Sequence, residues 1–177
     1  MSLLKKFKVM VFTTLSFYTA SAVGSVKLEV GSPAPTLKGQ TDGADWIELS
    51  KLYERGLVLV YFYPKADTPG CTAQACSLRD SYVELQKSGV EILGVSTDSV
   101  DDLKKFKSKH RLPFYLISDS EKAWAKAFGV PTTFGFTARQ AFLIEKSKIV
   151  WMDRSASTDK QAEDVLLFLK NRKNNLL

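Results

Sequence analysis

Leu57-Val58-Leu59-Val60-Tyr61-Phe62-Tyr63 is an unbroken apolar, β-prone run closed by Pro64. After Lys65-Ala66-Asp67 comes Thr68-Pro69-Gly70-Cys71. The run is the pattern of a strand buried on both faces. Thr68 is a good N-cap, and Pro69 suits the first helical position, where its missing N–H is no loss. Cys71 then falls at the third helical position. A sulfur there faces unpaired backbone N–H groups and the positive end of the helix dipole, which both favour thiolate over thiol. In open α/β sheets, ligands and chemistry collect where a strand ends and a helix begins.

Working outward, Pro69 to about Lys87 reads as one helix, with Ala75, Leu78, Tyr82 and Leu85 at helical spacing and Gly89 as the stop. Val90–Thr97 is a second buried strand, Val100–His110 a charged helix and Phe114–Ser118 a third strand. Glu121–Phe128 is a helix closed by Gly129. Gln140–Ile144 and Lys148–Met152 form a hairpin, and Asp159–Arg172 is the terminal helix. Upstream, Gly31-Ser32-Pro33-Ala34-Pro35 is an extended entry, and Asp45–Tyr53 reads as a short helix stopped at Gly56. The order is α/β: a central mixed sheet flanked by helices, its middle strands mostly parallel and an antiparallel pair at one edge. No repeat, linker or low-complexity tract divides it.

The chain has 177 residues, 45% of them hydrophobic and 25% charged, a globular composition rather than a disordered or multi-span membrane one. The first 22 residues read as a cleaved signal peptide. Lys5, Lys6 and Lys8 precede the apolar run Val9–Phe17, and Ala20-Ser21-Ala22 fits a signal-peptidase site. Residues 23–177 are then one domain, exported, with the bacterial periplasm expected and no stable membrane association after cleavage. Without those three lysines the net charge of +6 falls to a mild surplus. The remaining lysines are scattered rather than striped with aromatics, so nucleic acid is not an expected partner.

The chemistry centres on few residues. One histidine and two cysteines fall short of a four-ligand zinc site. No metal or other cofactor is expected. His110 reads as a solvated helix-end residue that complements the dipole. The spacing Cys71-x4-Cys76 is longer than the Cys-x-x-Cys of a thioredoxin-type redox site. On position alone, Cys71 is either an activated thiol or a small buried residue, and Arg139 either a site residue or an exposed edge-strand arginine. Arg79, the other arginine near Cys71, lies two helical turns beyond it, about 12 Å along the axis.

Pro64-x-x-x-Thr68-x-x-Cys71 resembles the peroxiredoxin active-site signature. The longer run Tyr63–Cys76, followed by Leu78-Arg79-Asp80, is similar to the Q-type subgroup, also called bacterioferritin comigratory protein. Glu91–Asp98 and Arg139–Ile144 resemble that family's following strands, and the similarity spans about Gly31 to Lys170. The resemblance implies a thioredoxin-like fold and a thiol-dependent peroxidase. It makes Cys71 the peroxidatic cysteine, oxidised to sulfenic acid, and Cys76 the resolving cysteine that closes an intramolecular disulfide. Thr68 and Arg139 would hold the thiolate and the peroxide oxygens, and Pro64 would shield the site from water. The implied substrates are hydrogen peroxide and alkyl hydroperoxides, with thioredoxin as reductant and a monomeric enzyme. An exported location favours another thioredoxin-like protein in that role.

The rival reading is an exported non-catalytic thioredoxin-like domain, a metal-handling or folding factor with a structural Cys71–Cys76 bridge. If both cysteines share one continuous helix, their Cα atoms stand about 8.6 Å apart on different faces. Disulfides rarely tolerate more than about 7 Å. The bridge then requires the helix start to unwind, with Gly70 as pivot.

Overall fold

The computed structural model describes residues 27–174. The leader expected at residues 1–22 lies outside them. Nine strands and six helices are present among the described residues: β1 Lys38–Thr41, β2 Trp46–Glu48, α1 Leu49–Tyr53, β3 Leu57–Phe62, α2 Pro69–Asp80, α3 Tyr82–Lys87, β4 Val90–Ser96, α4 Val100–His110, β5 Tyr115–Ser118, α5 Ala123–Phe128, β6 Thr132–Thr133, β7 Phe136–Thr137, β8 Gln140–Glu145, β9 Lys148–Asp153 and α6 Gln161–Asn174. Seven strands form one mixed sheet in the order β2-β1-β5-β4-β3-β8-β9, while β6 and β7 make a separate small hairpin.

Side-chain alternation along β3 explains why its sequence is apolar throughout. Leu59, Tyr61 and Tyr63 enter the core under α2, α3, α4 and α6. Val58, Val60 and Phe62 enter the core on the other face, under α1 and α5. A strand covered on both faces has no solvent side to make polar. β3 runs parallel to β4 and antiparallel to β8, so Arg139, the residue before β8, arrives beside the C-terminal end of β3. The three tryptophans are distributed unevenly. Trp124 of α5 is buried, Trp46 is 68% exposed on the edge strand, and Trp151 of β9 packs on Phe168 of α6.

The α/β order and the parallel centre are as the sequence predicts, with three corrections. Antiparallel strands flank the parallel centre on both sides, because β1 pairs with β5 and β2 with β1. β1 is masked in the sequence by Gly39, whose hydrogen lies where a Cβ would meet Ile117 Cγ2 at 2.6 Å and the Trp124 ring at 2.7 Å. The expected helix over Asp45–Tyr53 is a helix only from Leu49, because Trp46–Glu48 takes the free edge of β1. The expected helix from Pro69 to Lys87 breaks at Ser81 (φ −96°, ψ 6°), outside the helical region, and α3 starts afresh with Leu85 buried and Val83 turned outward.

Candidate active site

Pro64 is half-buried at the end of β3 and begins the loop that leads to α2. The Ala66 N–H donates to Asp98 Oδ2 at 2.8 Å, and Asp67 takes a left-handed conformation (φ 58°) that turns the chain into the helix. Thr68 is the N-cap in extended conformation and Pro69 the first helical residue, as the sequence predicts. The threonine hydroxyl does not cap the helix, however. It donates to the Lys65 carbonyl at 3.0 Å, so its proton is committed and its lone pairs are what it offers the site.

Cys71 is 2% exposed. Arg139 Nη2 donates to its sulfur at 3.4 Å, and Nη1 donates to Gln74 Oε1. Gln74 in turn donates through Nε2 to Gln161 Oε1 at 2.6 Å. The guanidinium is thus held from one side by a buried amide pair while its other nitrogen faces the sulfur. Gly70 makes room for it: a Cβ there would lie 3.4 Å from Arg139 Nη2 and 3.3 Å from Thr158 Cγ2. The segment ahead of Arg139 is tied to the same strand end, since Thr137 Oγ1 donates to the Tyr63 carbonyl at 2.8 Å. Beneath the helix, Tyr61 and Tyr63 stack at 5.5 Å, and burial pushes both phenols well above their ordinary range.

Of the residues singled out from sequence, the structure brings Cys71 and Arg139 into contact, with Thr68 at the N-cap of the same helix and Pro64 at the strand end. Arg139 is not an edge-strand surface residue, because β8 lies between β3 and β9. Cys76 is half-buried on the same helix, five residues on, and both cysteines are free. Arg79 stands by Cys76 rather than Cys71: it pairs with Asp80 and donates to the His110 carbonyl at 2.9 Å, and Asp80 first and the Cys76 sulfur after it hold its guanidinium above the ordinary range. His110 is not a solvated helix end. Its ring lies edge-on to Phe106, and Nε2 stands 3.0 Å from Asp67 Oδ1. Nothing in the sequence pattern marks Gln161 as part of this site. Gln74 is marked only as a polar residue one helical turn after Cys71 on a face otherwise apolar. Among the described residues, no cluster of three or more His, Cys, Asp or Glu side chains is arranged to hold a metal ion, and no helix is long and apolar enough to cross a membrane.

The site is thus a thiol held by a guanidinium at a helix start, at the end of a central strand. The AhpC/TSA family model matches residues 30–152. The chain belongs to the AhpC/TSA family. Within this family it is similar to the chloroplastic peroxiredoxin Q of Suaeda salsa, 39% identical over 87% of this chain and 72% of the relative. It is also similar to the putative peroxiredoxin bcp of Coxiella burnetii, 39% identical over 71% of this chain and 87% of that one. Among solved structures, peroxidoxin BcpB of Mycobacterium tuberculosis superposes with a TM-score of 0.77 at 30% identity, covering 82% of this chain and 98% of that chain. The Xylella fastidiosa PrxQ superposes equally well, at 28% identity over 84% and 99% of the two chains. The protein is thus a peroxiredoxin of the Q/BCP group with the thioredoxin-like fold of that group, a thiol peroxidase with two cysteines.

Proposed function

We propose that this peroxiredoxin reduces hydrogen peroxide and organic hydroperoxides through a sulfenic acid on Cys71, resolved by Cys76. The observation that carries the reading is the contact between Arg139 Nη2 and Cys71 Sγ at the start of α2. The Cys71 thiolate attacks the distal oxygen of the hydroperoxide. An S–O bond forms, the O–O bond breaks, and the departing alkoxide or hydroxide takes up a proton to leave as alcohol or water. Arg139 supplies fixed donors and a charge that does not titrate, which suits an oxygen gaining negative charge. The Thr68 lone pairs accept a hydrogen bond from the hydroperoxide O–H, and Pro64 limits water at the sulfur. A structure related to this chain, that of the Xanthomonas campestris bacterioferritin comigratory protein, was described for alkyl peroxide reduction, which supports including organic substrates.

In the second step the Cys76 sulfur attacks the Cys71 sulfenic sulfur. A disulfide forms and water leaves. Both cysteines lie within α2, so their Cα atoms are held about 8.6 Å apart while the helix persists. The first turns of α2 must unwind for the bond to close. The same geometry counts against the rival reading of a standing structural bridge. An external thioredoxin or thioredoxin-like dithiol then restores both thiols. We further propose that residues 1–22 are an export signal and that the mature enzyme works as a monomer in the periplasm. N-terminal sequencing of the native protein should then begin at Val23.

The test is peroxide consumption with a panel of dithiol reductants, combined with a thiol count by mass. Loss of both thiols after one equivalent of peroxide is expected. Retention of both thiols under peroxide excess would refute the reading. Hydrogen exchange should also report greater mobility between Pro69 and Arg79 in the oxidised protein than in the reduced one.

A further inference from the structure

One residue outside the site, His110, touches both ends of the segment that must reorganise. Its ring nitrogen Nε2 lies 3.0 Å from Asp67 Oδ1, in the loop just before Thr68. Its backbone carbonyl accepts from Arg79 Nη1 at 2.9 Å, in the last turn of α2. The loop end is reinforced by Lys109, whose Nζ reaches Asp67 Oδ2 at 2.6 Å. His110 is itself fixed. It ends α4, its ring is 17% exposed and rests against buried Phe106, and the following Arg111 closes the helix in a left-handed conformation. The helix break at Ser81 lies two residues beyond Arg79, so the tethered stretch coincides with α2.

We infer that the end of α4 is a latch on α2: Asp67 and Arg79, both gripped at His110, set how readily the helix unwinds and so how fast the Cys71 sulfenate is resolved. This rests on the proposal that Cys76 resolves Cys71. The sign follows whichever way the grips behave. If they break on unwinding, they stabilise the wound state directly. If they survive, they hold the ends of the unwound segment together and restrict its freedom, which also disfavours unwinding. Either way the latch biases the sulfenate form toward the wound helix, from which no disulfide closes. A wound sulfenate remains exposed to a second peroxide, whose attack adds another oxygen to sulfur and gives sulfinic acid. The latch therefore sets a balance between fast resolution and overoxidation of Cys71. Asp67, His110 and Arg79 make no hydrogen bond to Cys71 or Arg139, so the first oxidation is outside their reach.

The test uses three variants of the full chain. Arg79→Gln frees the helix end, Asp67→Asn removes the charge at the loop end while tolerating its left-handed backbone, and His110→Phe keeps the ring packing but loses Nε2. Sulfenate formation and disulfide closure are followed separately in rapid-mixing experiments. Asp67→Asn and His110→Phe are each expected to close the disulfide about three- to ten-fold faster, the effect of losing one or two hydrogen bonds, and Arg79→Gln by a smaller factor, because it also takes a cation away from the Cys76 sulfur. Sulfenate should form at the parent rate, and less sulfinic acid should accumulate at high peroxide. Arg79→Lys, which keeps a charged donor, should move back toward the parent closure rate. Closure at or below the parent rate in both Asp67→Asn and His110→Phe would overturn the latch. Absence of any Cys71–Cys76 disulfide in the parent protein would instead overturn the role of Cys76, and the latch with it.

Discussion

Arg139 presents one guanidinium nitrogen to Cys71 Sγ at 3.4 Å and spends the other on Gln74 Oε1, so the same helix, α2, carries both the sulfur and the amide that aims the arginine at it. The two partners lie three residues apart, one turn of helix. Unwinding that turn would separate the sulfur and the guanidinium together, and rewinding would restore both.

Cys71→Ser is expected to abolish peroxide turnover while leaving the fold intact, because no other nucleophile stands at that helix start. The variant should melt within a few degrees of the parent. Thiol-dependent peroxide consumption by the serine protein would sink the assignment.

Arg139→Ala should slow sulfenate formation by about ten-fold or more, equivalent to ~1.4 kcal/mol of lost transition-state stabilisation. Gln74→Ala should slow it by a smaller factor, since the guanidinium remains but its aim is lost, and Gln161 loses its buried partner. Single-turnover oxidation rates separate the two. Equal rates in the parent and Arg139→Ala would mean the arginine only packs.

The Asp67 carboxyl is held below its ordinary value of 3.8, first by its hydrogen bond to His110 and then by Lys109. The ionised form is therefore favoured in the folded chain. Its contribution is present above the ordinary value and is lost as pH falls through the lower one. Urea denaturation should find Asp67→Asn less stable than the parent at neutral pH, with the difference closing below about pH 4. A difference that grows in acid would contradict the ion pair.

Gly94 sits in β4 under the Tyr61 ring. A Cβ there would lie 2.6 Å from the Tyr61 hydroxyl oxygen and 2.8 Å from Leu116 Cδ2, and both side chains are fully buried. Gly94→Ala should cost about 1–3 kcal/mol of stability through overpacking. It should also lower peroxidase activity, because Tyr61 forms the floor beneath α2. Thermal unfolding at the parent temperature would show that the core can yield there.

What was legible in the sequence was local. Thr68, Pro69, Gly70 and Cys71 set a helix start among themselves, and the preceding apolar run marks a central strand, so the place of the sulfur follows from neighbours in the chain. The role of Arg139 required the resemblance, because nothing within its own stretch distinguishes a site arginine from a surface one. The Gln74–Gln161 pair joins residues 87 positions apart, and a lone glutamine on a helix carries no trace of such a partner. β1 was hidden for a different reason: Gly39 and its polar neighbours make a poor strand on propensity, and the strand exists because Trp124 needs a bare backbone to pack against. The break at Ser81 interrupts a stretch whose apolar spacing is continuous, so periodicity alone ran the two helices together.

The placement of the tryptophans makes the molecule its own optical reporter. Trp124 of α5 is buried in the core on the sheet face away from α2, and Trp46 already stands in water at the sheet edge, so neither packs near the sulfur. Trp151 lies against Phe168 of α6, the helix whose first residue, Gln161, is the buried partner of Gln74. The Gln74–Gln161 contact thus joins α2 to the helix that packs on one indole and not on the other two. If α2 unwinds on oxidation of Cys71, the emission of Trp151 in the unlabelled chain is expected to change with it.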